Sequence, residues 1–382
     1  MTAISRKPLR RSIFGDGSKP SFVTGALWTG LASMVLAPIL FGSLQLQTAL
    51  SPADLQAHET LFGYLAAIFA GFILTALPEW TGRPPLKGGT LVILILAWLA
   101  GRLAIAESAS ISLVVAAGID LVFLLLAILV TAREAVGGQG SKAWPFVGLL
   151  IAFFAGNAIF HLGAISNGSP EAGKRIGIAA AVLAVTLVGG RVFPQPDAAE
   201  EQAKFRAVDI AALVLSAVAL ASWIVLPGFI VTAGLMLIAG IVHAVRLAGW
   251  VTGRSAQNTL ALVQQVAYGF LPLGFVVIGF RILFSDDAAA GVDVRTWMVS
   301  ATGILVLAMT SRAGLTDSVR PRAARTFAWF VYAAAVMAVE MRIFGGFNTL
   351  LPYLSGAALL IAFAVFTIGY VPVLARPGRL AA

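Results

Sequence analysis

Cysteine is missing from all 382 residues. Its absence rules out disulfides, iron–sulfur clusters, thiolate-ligated haem and the covalent attachment of a c-type haem. Any metal or haem would have to use histidine, methionine, carboxylate or tyrosine, and histidine itself occurs only three times. Charge is scarce as well, at 11% of residues, where soluble domains carry about a quarter. The chain shows no P-loop, no Ser-His-Asp spacing and no His-x-x-x-His zinc motif. Its glycine-rich segments lack the strand context of a nucleotide fingerprint.

Apolar residues are what the chain has instead, at 59% with a mean hydropathy of +0.93. Long hydrophobic runs recur throughout. This predicts an all-α, polytopic membrane bundle in a lipid bilayer rather than a soluble domain with an anchor. The pattern gives roughly 12 spans at about 20 residues each, placed at 22–46, 57–78, 88–106, 110–132, 143–163, 175–193, 207–226, 228–247, 259–283, 294–313, 324–344 and 349–375. With both termini cytoplasmic, only Arg102, Lys174, Arg175, Arg281, Arg295 and Arg342 of the 26 basic residues fall outside. That asymmetry follows the positive-inside rule, so the net charge of +9 reads as membrane orientation and not as a nucleic-acid surface. The reading yields a basic N-terminal segment (1–21), helices one to six (22–193), a cytoplasmic linker (194–206), helices seven to twelve (207–375) and a tail (376–382). The retained first span is expected to follow Arg6, Lys7, Arg10 and Arg11 without signal cleavage.

One stretch stands out, from His58 to Lys87. It opens on the ionisable pair His58–Glu59. Glu59, Gly63, Ala67, Gly71 and Thr75 then recur every four residues, a narrow stripe that lets another helix approach. It ends in Pro78-Glu79-Trp80-Thr81-Gly82-Arg83-Pro84-Pro85, read as a loop in which the prolines stop the helix and Trp80 suits the interface. In the predicted orientation His58, Glu59, Asn157, His161, Arg102, Arg281, Glu340 and Arg342 all lie toward the outer leaflet. Ionisable residues inside a membrane are costly, so their gathering at one end is the main functional signal. Two imidazoles on different helices can ligate a haem or a metal, with Glu59 or Asn157 orienting a ring and the arginines available for propionates. Asp120, near the middle of its span, calls for a partner or a proton path; with Gln264 and Glu340 it would line a transport route. His243, beside Arg246 at the inner end of its span, reads as an interfacial helix end.

Gln56-Ala57-His58-Glu59-Thr60-Leu61-Phe62-Gly63-Tyr64, followed by Gly71 to Pro85, resembles the signature of the NnrS family. So do Asn157-Ala158-Ile159-Phe160-His161-Leu162, Ala267 to Gly274, and the run from Ala301 to Leu315. The departures concern ligands. Gln56 stands where the family has a histidine, and Trp297-Met298-Val299-Ser300 and Thr316-Asp317-Ser318-Val319-Arg320 replace segments that usually carry others. The resemblance implies a bacterial inner-membrane protein of the nitric oxide response with haem b near the periplasmic leaflet. It also implies copper, although several usual histidines are absent here. Nitric oxide or another diatomic would be the ligand, with respiratory-chain proteins as partners. Coordination alone would suffice, so an enzyme need not be assumed. The alternative is a transporter or a metal-delivery protein without haem.

Overall fold

In the computed structural model the described residues are 47–84, 86, 89–138, 141–192, 199–252, 259–284 and 354, 357, 358 and 361. All regular structure among them is helical. Eight helices are long and apolar enough to cross a membrane. They coincide with the second to ninth expected spans; the first, tenth and eleventh, with Glu340 and Arg342, lie outside the described residues, as does all of the twelfth but residues 354, 357, 358 and 361.

The chain enters the bundle through α1 (Pro52–His58). Ser51 caps it by accepting from the Asp54 amide at 3.1 Å, and Pro52 occupies the first turn, where no amide donor is needed. The helix passes without a break into a π-helical turn (Glu59–Leu65) and then α2 (Ala66–Thr81). In this path, Pro52–Pro78, the most apolar window is 94% buried, against 33% for α5 (Leu113–Gly137). A helix that is apolar all round belongs in the interior, so the stretch that opens on His58 is the central rod of the bundle.

Its far end differs from the expected loop. Pro78, Trp80 and Thr81 are still helical: the proline costs one hydrogen bond and crowds the carbonyl four residues before it, but the helix runs on past it. The stop comes at Gly82, whose φ of +69° is the left-handed conformation that glycine adopts freely. Trp80 stacks on Phe146 with centroids 4.2 Å apart. Arg83 pairs with Glu134 at 2.6 Å and donates to the Gly137 carbonyl at 3.2 Å. The turn thus staples α2 to the end of α5, with Pro84 just beyond.

Around the rod, α3 (Gly89–Ala106) leads through a short α4 (Ser108–Ile111) into α5. Next come α6 (Trp144–Ser166) and α7 (Glu171–Val192), then α8 (Ala199–Val225), α9 (Ile230–Thr252) and α10 (Thr259–Phe284). Helix α8 begins inside the stretch expected as a linker. Small residues set how closely these helices approach. A Cβ added at Gly156 would come within 2.9 Å of the Gly177 backbone nitrogen, and one at Gly173 would collide with the Phe160 backbone. Exposed Leu96, Leu103, Val114 and Val136 form part of the outer, lipid-facing surface.

Candidate functional site

Four helices bring their polar residues to one end of the bundle. The π-turn widens the central rod where it leaves His58 and carries Glu59 and Gly63; such turns recur at functional sites. Gly63 makes room for the Arg102 guanidinium, which a Cβ would approach to 2.5 Å. Gly101 does the same for Asp120, whose Oδ1 would lie 2.9 Å from an added Cβ. Both glycines leave space for the charged side chains that meet between the rod, α3 and α5.

Asp120 is the hub. Its Oδ2 accepts from Asn157 Nδ2 at 2.7 Å and lies 3.1 Å from His58 Nε2 and 3.0 Å from His161 Nε2. Its Oδ1 pairs with Arg102, which also donates to Glu59 Oε1 at 2.7 Å. Glu59 returns to His58, with Oε1 3.3 Å from Nδ1. Asn157 Oδ1 completes the ring 3.1 Å from His58 Nε2. All six residues are at most 6% exposed. Phe62 and Phe160 close over His58 with centroids 5.6 and 5.1 Å away. His161 Nδ1 is buried with no hydrogen-bond partner.

His58, Glu59, Arg102, Asn157 and His161 are therefore one constellation, as their shared depth suggested. Asp120 joins them. It lies in the third turn of α5, level with His161, because that helix starts at Leu113 and runs on to Gly137. Arg281, half-buried in the last turn of α10, makes no hydrogen bond or ion pair among the described residues. The side chain of Gln264 is outside the described residues.

The donor set admits one metal ion. His58, Asp120 and His161 each offer a ligand atom, and the three lie within 4.8 Å of one another. Two imidazoles and a carboxylate suit a divalent transition metal. Haem is different. With metal–nitrogen bonds of about 2.1 Å, rings on opposite sides of one iron would have centroids roughly 6 Å apart. Here the His58 and His161 centroids are 5.0 Å apart. Both Nε2 atoms also face the same Asp120 oxygen, so a macrocycle has no place between them.

A second polar cluster at the opposite end was missed by the sequence reading. His243, expected as an interfacial helix end, is fully buried within the bundle. Its Nε2 lies 2.7 Å from Ser216 Oγ and its Nδ1 2.5 Å from the Tyr268 hydroxyl, while Phe275 stacks on its ring. Arg246 donates to Asp209 at 2.7 Å, to the Thr186 carbonyl at 3.0 Å and to the Tyr268 hydroxyl at 2.7 Å. Its guanidinium also lies over Trp250. The signal was in the sequence, since Asp209 and Ser216 are seven apart on α8 while His243, Arg246 and Trp250 share one face of α9. We expect Tyr268→Phe to destabilise the protein by about 1–3 kcal/mol, because it removes an acceptor from a buried guanidinium. Thermal unfolding in detergent would measure it; an unchanged midpoint would refute the cluster's structural role.

Fold and site together define a multi-pass, all-helical membrane protein with a buried histidine–carboxylate cluster at one end of its central rod. More particularly, the family model for the NnrS protein matches residues 12–378, and the chain belongs to that family. Neither a curated protein nor a solved structure matches it.

Proposed function

We propose that this chain is an inner-membrane protein of the nitric oxide response in which His58, Asp120 and His161 hold one transition-metal ion. The convergence of three buried ligand atoms carries the reading. Family membership supports the nitric oxide role and makes copper or iron the natural ion. The family's haem does not fit between these two imidazoles, and the proposal places none there. When bound, the ion would supply a coordination position for nitric oxide or another diatomic.

The surrounding residues have definable tasks. Glu59 fixes the His58 ring through Nδ1, leaving Nε2 toward the site, and the Asn157 amide orients Asp120. Arg102 bridges the two carboxylates and offsets their charge, and Phe62 and Phe160 exclude water. In the membrane we place about 12 spans, both termini cytoplasmic, with helices one to six and seven to twelve as two halves. That arrangement puts the cluster toward the periplasm.

A second reading has its own observation. Both ring nitrogens of His58 face oxygen acceptors, the hydrogen-bond pattern of an imidazolium. Two carboxylates against Arg102 and His58 then balance without an ion, as a transporter or a delivery protein between metal loadings would require. Mass-spectrometric metal analysis of the purified protein decides. One equivalent of iron or copper, lost in both His58→Ala and His161→Ala, is expected, with no haem Soret band dependent on these residues. A metal-free protein after growth in iron and copper would overturn the ion site. A Soret band abolished by either substitution would restore the haem.

A further inference from the structure

The cluster has an apolar neighbour. One helical turn farther into the bundle lies a small, partly open void of about 20 Å³, lined by Ala67 and Gly71 of α2, Trp98 of α3, and Phe123 and Ala127 of α5. Half-buried Ile95 also lines it, next in the chain to the exposed Leu96. Each lining helix also supplies the polar cluster. Ala67 is one turn beyond Gly63, Trp98 one turn before Arg102, and Phe123 three residues beyond Asp120. Trp98 belongs to both places, because its indole nitrogen donates to the Gly63 carbonyl at 2.7 Å while its ring walls the void.

We propose that this void is a binding site for one uncharged diatomic gas molecule entering from the bilayer. Size and chemistry select that occupant. The volume exceeds the roughly 10–15 Å³ that one water-sized sphere needs, which leaves room for one small molecule. Every lining side chain is apolar apart from the indole nitrogen already committed to Gly63, so a water would lack the two to four partners it requires. An ion would find no ligand at all. Apolar gases concentrate in lipid rather than in water, and α3 and α5, which wall the void, are the lipid-exposed members of this group. Passage from the void to the cluster rests on the function proposed above; occupancy of the void does not.

Xenon is the probe. Xenon NMR on the full chain in nanodiscs, with empty nanodiscs as the blank, should show a saturable signal in the wild type. Ala127→Leu and Ala67→Leu fill the void from opposite walls, and each should abolish that signal. Thermal unfolding checks that each variant is folded. A wild type indistinguishable from empty nanodiscs overturns the proposal, whatever the variants do. An undiminished signal in either folded variant also overturns it. Saturable xenon in a metal-free protein would leave the void standing and remove the ion; bound metal without saturable xenon would do the reverse.

Discussion

Asp120→Asn should unfold this protein more easily than any other single polar substitution in the described bundle. The change removes one of the two carboxylates that face Arg102, a guanidinium only 3% exposed. Breaking a buried ion pair from one side costs about 3–5 kcal/mol, because the remaining charge stays out of water without its partner. The new amide also offers a donor where Asn157 and both histidines converge on an acceptor. A double-mutant cycle with Arg102→Gln separates the two contributions. The second substitution should cost markedly less in the Asp120→Asn background than alone, since the guanidinium it removes is already half-compensated. Thermal unfolding in detergent reads all four proteins. Strict additivity would show that the pair is not coupled, and the proposed hub would fall with it. Asp120→Asn should also lower metal content, linking the stability role to the ion.

Gly173→Ala carries the second large effect, although it adds only one methyl group. Gly173 lies in the first turn of α7 against the Phe160 backbone, so an added Cβ meets main chain rather than a side chain that could swing away. The helices must separate, and overpacking of this kind costs about 1–3 kcal/mol, occasionally more. Phe160 packs on His58, and the next residue is His161. A displacement at Gly173 therefore reaches the cluster through one residue. Lower thermal stability together with reduced metal retention is expected. Ala substitution at Gly234, which faces open space within 4 Å, is the matched control and should change little beyond its helix propensity. Equal effects at the two positions would show that helix contact at Gly173 does not position the site.

These effects explain which parts of the molecule could be read from the sequence. Sequence alone determined the family through the His58–Pro85 stretch, and it determined that the described elements are helices of membrane length. Both are local properties: a run of apolar residues and a contiguous motif require no knowledge of neighbours. Depth was legible too, because position along a span is counted in residues, and this gathered His58, Glu59, Arg102, Asn157 and His161 at one end.

Three things were decided only by the tertiary structure. Asp120 joined the cluster because α5 starts later than its apolar run suggested and because Gly101 lets α3 lie against it; start point and contact depend on the partner helix. His243 moved from an interfacial reading to a buried hub because Ser216 and Tyr268 come from helices the sequence cannot pair. The ring spacing of 5.0 Å between His58 and His161 favours a single ion over a haem. That distance depends on how Gly156, Gly173 and Gly177 let α6, α7 and the central rod approach. Hydrophobic length is written along the chain, but the distance between two side chains on different helices is set by what packs between them.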